Sequence, residues 1–313
     1  MQNPNAAVIV LVLAALAALV VVAVVAVVAA RALSLPSSVP MTVPSAVPTT
    51  TTTKSVVIGG TARDCAPYLS SVLARLDELA RWFGAVQYVF YESNSSDATY
   101  EALRAFVAAR DGVVLTERTR GTRTERIAIG RNAVVARAER SGADFFVNVD
   151  MDDRCTDIDV PSVVECVARS AEWDVATSNR RVDYYDLWAL RTPALGNCYA
   201  PGDACENHPL SDWFPSEPEL VGARTFPDDR PYYDVLSAFA GLAVYKTAVI
   251  RGARYSGTSA GPITGPPAVV GPPTVVGPVV VGPECEHAPF HAAIRALSPG
   301  ARIVVATYMF SGP

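Results

Sequence analysis

The stretch Phe145–Asp153 reads FFVNVDMDD, and no other part of the chain narrows its fold so far. A short apolar strand runs directly into Asp150, Asp152 and Asp153. A strand that ends in Asp-x-Asp carries its carboxylates to the carboxyl edge of a sheet, the edge at which open α/β folds bind ligands. Hard divalent cations such as Mg²⁺ and Mn²⁺ take oxygen ligands and share them with substrate phosphates. The stretch therefore predicts a metal–diphosphate site. An EF-hand loop is excluded, because Arg154 stands where a third oxygen ligand belongs and no glycine follows.

Upstream, Ser55–Gly60 (SVVIGG) reads as a buried strand closed by glycines. Leu69, Val72, Leu73, Leu76, Leu79 and Ala80 recur at helical spacing and predict a helix over Tyr68–Phe83. A strand at Val86–Tyr91 then leads into ESNSSDAT. A helix over Tyr100–Ala109, a strand over Gly112–Leu115 and a helix over Arg126–Ala143 bring the chain back to the FFVNVD strand. This alternation predicts a mostly parallel sheet with helices on both faces.

On these residues the chain resembles nucleotide-sugar glycosyltransferases of the GT-A (Rossmann-like) fold, with a first half like family 2. The features that carry the resemblance are Glu92 with Ser95, Asp97 and Thr99 after the second strand, and Arg131-Asn132 in the helix before the Asp-x-Asp strand. They keep their order across Ser55–Asp153. The chain has Glu92-Ser93 where many relatives carry two aspartates. Downstream, YYDLWALR (Tyr184–Arg191) and FAGLAVYK (Phe239–Lys246) are similar to pieces of fungal capsule-type mannosyltransferases. The resemblance implies a metal-dependent hexosyltransferase. Its donor would be a nucleotide diphosphate-sugar, its acceptor a glycan or glycoprotein, and its cation Mn²⁺ or Mg²⁺. A nucleotidyltransferase on a similar sheet is the alternative, although IGGTARD is a poor phosphate loop. A non-catalytic carbohydrate-binding membrane protein is another, and the paired Asp150 and Asp152 speak against it.

Ala6–Ala30 contains neither a charge nor a proline. An apolar run of about 20 residues spans a bilayer as a helix, so an N-terminal membrane anchor is expected over residues 1–30. The apolar region of a cleaved signal is usually shorter, about 7–15 residues. Arg31, following the span, would weakly place the carboxyl side in the cytosol. The resemblance implies instead a type II anchor of the Golgi or ER kind. Residues 31–54 are rich in proline, serine and threonine and form a linker. The catalytic domain is expected over 55–313, with a nucleotide-binding half at 55–177 and an acceptor half at 178–313. A Gly/Pro-rich insertion, 261–283, interrupts the second half. The net charge of −5 gives no reason to expect nucleic acid as a partner. Cys198 and Cys205 enclose a Pro-Gly loop and are the pair to watch for a disulfide in a lumenal setting.

The candidate site residues follow. Asp150 and Asp152 are expected at the metal, with His287 completing the shell as a late histidine does in many GT-A enzymes. Asp150 is also expected to face the donor, and Asp153 is expected either to orient the first pair or to contact the donor sugar. Glu92 is expected to accept from the base or ribose, and Asp97, a donor-side candidate beside it on the same loop, is favoured as a helix cap. Arg126 and Arg131, within the basic run Arg118–Arg131, are expected to clamp the diphosphate, because guanidinium matches phosphate oxygens in a fork. The other reading of that run is a solvated helix face. Asp186, beside Trp188 on YYDLWALR, Asp234 and Glu286 are the candidate general bases. Asn94-Ser95-Ser96 is a glycosylation sequon in the middle of this region, and a glycan on it would block the donor site.

Overall fold

A computed structural model describes residues 52–193, 210–212, 214, 216–258 and 284–312, all within one compact unit, Ala46–Pro313. The expected membrane anchor, most of the linker, the Gly/Pro insertion and the Cys198–Cys205 loop lie outside these residues. No helix among the described residues is long and apolar enough to cross a membrane.

The elements alternate as the sequence predicts. They are β1 (Ser55–Ala62), α1 (Ala66–Ala80), β2 (Ala85–Glu92), α2 (Thr99–Val107), β3 (Gly112–Thr116), α3 (Arg123–Ser141), β4 (Phe145–Val149), α4 (Val160–Ala168) and β5 (Val175–Asn179). Then come β6 (Tyr232–Asp234), β7 (Leu242–Lys246), α5 (His287–Leu297) and β8 (Ile303–Phe310). The strands form one sheet in the order β3-β2-β1-β4-β7-β5-β8-β6. β1 to β4 pair in parallel, and so do β5 and β8. β7 enters antiparallel between β4 and β5, and β6 is antiparallel to β8 at the edge. The sheet is thus mixed but mostly parallel. The boundary expected at 177/178 falls inside β5, and β4 pairs with β7, so both expected halves share this sheet.

Alternate residues of each strand face opposite layers. Val56 and Ile58 of β1 pack under Leu69 and Leu76 of α1, Leu103 of α2 and Val163 of α4. Val57 between them joins Val134, Val135 and Ala138 of α3 and Phe290 and Ile294 of α5 on the other face. Each such Val, Leu, Ile or Phe side chain contributes roughly 1.5–3 kcal/mol by leaving water.

Two local features place the site. α3 begins at Arg123, one turn before the predicted start. The reason is a capping box: Thr122 accepts from the Glu125 N–H, and the Glu125 carboxylate accepts from the Thr122 N–H. On its inner side Gly130 lets α3 lie directly on the sheet, since a Cβ there would come within 2.6 Å of the Tyr91 ring and 2.8 Å of Thr61. The second feature is Gly241 at the entry to β7. Its φ of +93° is strained for any residue with a Cβ. Its carbonyl accepts from the Asp150 N–H at 2.8 Å, which anchors the Asp-x-Asp turn to the neighbouring strand.

Candidate active site

At the carboxyl edge of the sheet, where β1 and β4 end, the chain forms a cavity of about 620 Å³. Arg63 and Cys65 reach it from the loop after β1, and Ser93 from the loop after β2. Arg123 and Arg126 come from α3, and Asp150, Asp152, Asp153 and Arg154 from the turn after β4. Tyr185, Asp186, Trp188, Phe239, Glu286 and His287 close the other side. Donor-side and acceptor-side candidates, separated by up to half the chain, thus meet in one space.

Asp150 Oδ1 accepts from Arg131 Nη2 at 2.9 Å, and Oδ2 lies 3.4 Å from the Tyr185 hydroxyl. Asp152 Oδ1 accepts from the Arg154 N–H at 3.1 Å and so caps the 3-10 turn Asp153–Cys155. Burial, reinforced by the neighbouring Asp150 charge, pushes the Asp152 carboxyl up to about 6. Burial also raises Asp150, against the pull of Arg131. Two carboxylates that disfavour each other's charge form a place where a cation is welcome. His287 lies with its ring stacked on Phe239, centroids 3.8 Å apart, and both its ring nitrogens are buried without a hydrogen-bond partner among the described residues. Burial, with Arg131 nearby, holds its pKa well below the ordinary range, so the ring is neutral and able to ligate. Even so, among the described residues no three His, Cys, Asp or Glu side chains are grouped to hold a metal by themselves. The expected triad of Asp150, Asp152 and His287 shares the cavity without closing into a cluster.

Asp186 Oδ1 accepts from the Ala189 N–H at 3.2 Å, capping the turn that presents Trp188. Burial, together with the Glu286 and Asp150 charges, pushes its carboxyl up to about 8. Asp153 and Arg126 line the cavity.

Four of the expected site residues are engaged within the protein or stand away from the cavity. Arg131 lines the cavity but is 5% exposed, and its three nitrogens donate to Glu286, Asn148 and Asp150. Glu92 lies outside the cavity lining. One of its oxygens accepts from the Ser95 N–H and the other from the Thr116 hydroxyl, so it shapes its own loop. Asp97 is likewise absent from the lining. It accepts from the Ala66 and Thr99 N–H groups and caps α1 and α2. Asp234 sits at the opposite end of the sheet: it pairs in register with Val304 near the start of β8 and binds Arg302 through both oxygens. It is absent from the cavity lining. Asn94, in the sequon, donates its side-chain amide to the Thr119 carbonyl.

Sequence reasoning passed over Arg63, Arg123, Tyr185 and Phe239 as site residues. A signal for Arg123 was present. With the helix started by the Thr122 capping box, positions 123, 126, 127 and 131 fall on one helical stripe, and all four line the cavity. Tyr185 and Phe239 gave no such signal, because their neighbours in the site come from distant segments.

No family profile matches the chain, and no curated protein does. Among solved structures it is similar to S. aureus TarS 1-349, with 13% identity, 81% of this chain and 58% of that chain covered, and a TM-score of 0.44. TarS has also been solved with UDP and with UDP-GlcNAc. Mannosyltransferase PcManGT from Pyrobaculum calidifontis, solved with GDP-Man and Mn²⁺, shows 13% identity over 64% of this chain and 47% of that chain, with a TM-score of 0.37. Glucosyl-3-phosphoglycerate synthase from Mycobacterium tuberculosis, solved with Mn²⁺, UDP and phosphoglyceric acid, shows 14% identity over 63% and 57%, with a TM-score of 0.35. The chain therefore spans between about a third and three fifths of the length of these proteins. The likenesses are distant and assign no role to any residue here.

Proposed function

We propose that this chain is a metal-dependent nucleotide-sugar glycosyltransferase of GT-A architecture, moving a hexose to a carbohydrate acceptor. The observation that carries the reading is the pair Asp150 and Asp152, held at the carboxyl edge of the sheet in a cavity that also presents Arg63, Arg123 and Arg126. Asp150 and Asp152 would hold Mn²⁺ or Mg²⁺. Two carboxylates are a partial shell, and these cations commonly complete it with water and substrate phosphate. His287, neutral and unpartnered, is a further donor in the same cavity. When bound, the cation neutralises charge on a leaving nucleoside diphosphate.

The side chains supply the rest. Arg123 and Arg126 face the cavity beside the first turn of α3, where the helix dipole also favours an anion. Trp188 and Phe239 offer aromatic surface on the acceptor side, suited to the apolar face of a sugar ring. Asp186 and Glu286, both in the lining, would take the proton of an acceptor hydroxyl. A membrane anchor through residues 6–30, with the catalytic domain on the lumenal side, completes the proposal.

Calorimetry of the full chain with UDP, GDP and CMP, each with and without Mn²⁺, tests it. Manganese-dependent binding of one nucleotide is the expected result and identifies the donor class. A folded sample that binds none of the three overturns the reading.

A further inference from the structure

Arg131 sits where three distant parts of the chain converge. Its Nε donates to Glu286 Oε1 at 3.0 Å, Nη1 to Asn148 Oδ1 at 3.0 Å and Nη2 to Asp150 Oδ1 at 2.9 Å. The ring centroids of Phe239 and Tyr255 lie 5.0 and 5.8 Å from the guanidinium carbon. The Asn148 amide is itself steadied, donating to the Tyr255 hydroxyl at 3.2 Å. Burial works against the charge on Arg131, but Asp150 and Glu286 outweigh it, so the guanidinium stays protonated.

The fork takes one oxygen from each carboxylate. Asp150 Oδ2 is left with only the long contact to the Tyr185 hydroxyl, and Glu286 Oε2 has no hydrogen-bond partner among the described residues. Both residues line the cavity. A rigid planar cation therefore spaces a donor-side carboxylate from an acceptor-side one. A lysine ammonium has neither the planarity nor the spread of nitrogens to bridge these three acceptors.

We infer that Arg131 is a positioning residue that couples Glu286 to the metal-side carboxylate Asp150. The inference rests on the proposed reading of the cavity as a metal–nucleotide site. Misplacing catalytic groups by about 1 Å costs on the order of a hundredfold in rate, so the spacing set by Arg131 matters beyond the fold.

The test is Mn²⁺ titration followed by electron paramagnetic resonance, on the full chain without nucleotide. The proteins are wild type, Arg131→Lys, Glu286→Gln, the double variant and Asn148→Ala. Arg131→Lys is expected to weaken Mn²⁺ binding by about tenfold or more. The double variant is expected to be no weaker than Arg131→Lys alone, because Glu286 acts on Asp150 through the guanidinium; additive effects in this cycle would overturn the coupling. Asn148→Ala keeps the test open if Arg131→Lys does not fold. Asn148 is buried and lines no part of the cavity, and its side chain meets a cavity-lining residue through its bond to Arg131. A severalfold weakening is expected. Wild-type Mn²⁺ affinity in folded Asn148→Ala or Arg131→Lys overturns the inference and leaves the proposed function standing. A wild-type chain that binds neither Mn²⁺ nor nucleotide overturns the proposed function itself.

Discussion

Replacing Asp186 with asparagine should change how stability depends on pH, and the structure sets the size and sign. The Asp186 carboxyl is pushed up from 3.8 to about 8, mainly by burial and then by Glu286 and Asp150. A carboxyl with a raised folded pKa contributes stability that is fully present below the unfolded value and is lost as pH rises through the folded value. Between pH 6 and about 8 the unfolded chain has already ionised this aspartate while the folded chain has not. Each pH unit across that window therefore costs the folded state about 1.4 kcal/mol. From pH 6 to pH 9 the wild type should lose roughly 3 kcal/mol relative to Asp186→Asn. The side chain keeps some contact with solvent in the cavity, which makes this an upper figure. Asparagine keeps the oxygen that accepts from the Ala189 N–H, so the turn before Trp188 should stay formed. Urea unfolding of both proteins at pH 6, 7, 8 and 9, without ligand, gives the difference directly. A gap between the two that does not change with pH refutes the reasoning. It would mean that water reaches Asp186 freely and that its carboxyl is not held protonated. If Asp186 also serves as the general base, transfer by the wild type should rise with pH toward about 8 and this limb should vanish in Asp186→Asn.

Three further outcomes follow from the geometry. Asp234→Ala should leave nucleotide binding and transfer unchanged and cost below about 1 kcal/mol, as an exposed ion pair with Arg302 does; calorimetry and thermal melts check both. Asp97→Ala should lower the melting temperature by uncapping α1 and α2, with nucleotide affinity intact; a large loss of affinity at unchanged melting temperature would return Asp97 to the donor site. Gly241→Ala should cost about 1–3 kcal/mol, since it forces a side chain into φ +93° with a Cβ 3.0 Å from Cys155 Sγ, and it should weaken Mn²⁺ binding because the Gly241 carbonyl holds the Asp150 N–H.

The order and type of the elements were legible in the sequence because each depends on a few consecutive residues. The apolar spacing of Leu69 to Leu79 determined α1, and the continuous FFVNV run determined β4. The Thr122–Glu125 box that starts α3 was also local, although its meaning is plain only when both partners are read together. Asp150 and Asp152 were legible as residues of the sheet's carboxyl edge because a strand end dictates where they stand. Direction and distance were not legible in the same way. That β7 runs antiparallel between β4 and β5 depends on pairing across the chain, and no periodicity records it. Glu92 and Asp97 have the chemistry of ligands, yet the loop around them uses their oxygens first. Asp234 and Glu286 look alike as candidate bases. Only the fold puts one at the far end of the sheet and the other in the cavity, tied to an arginine 155 residues away. A charged side chain declares what it can bind. Which partner it finds is decided by tertiary packing, because buried charges must be paired and their partners arrive from anywhere in the chain.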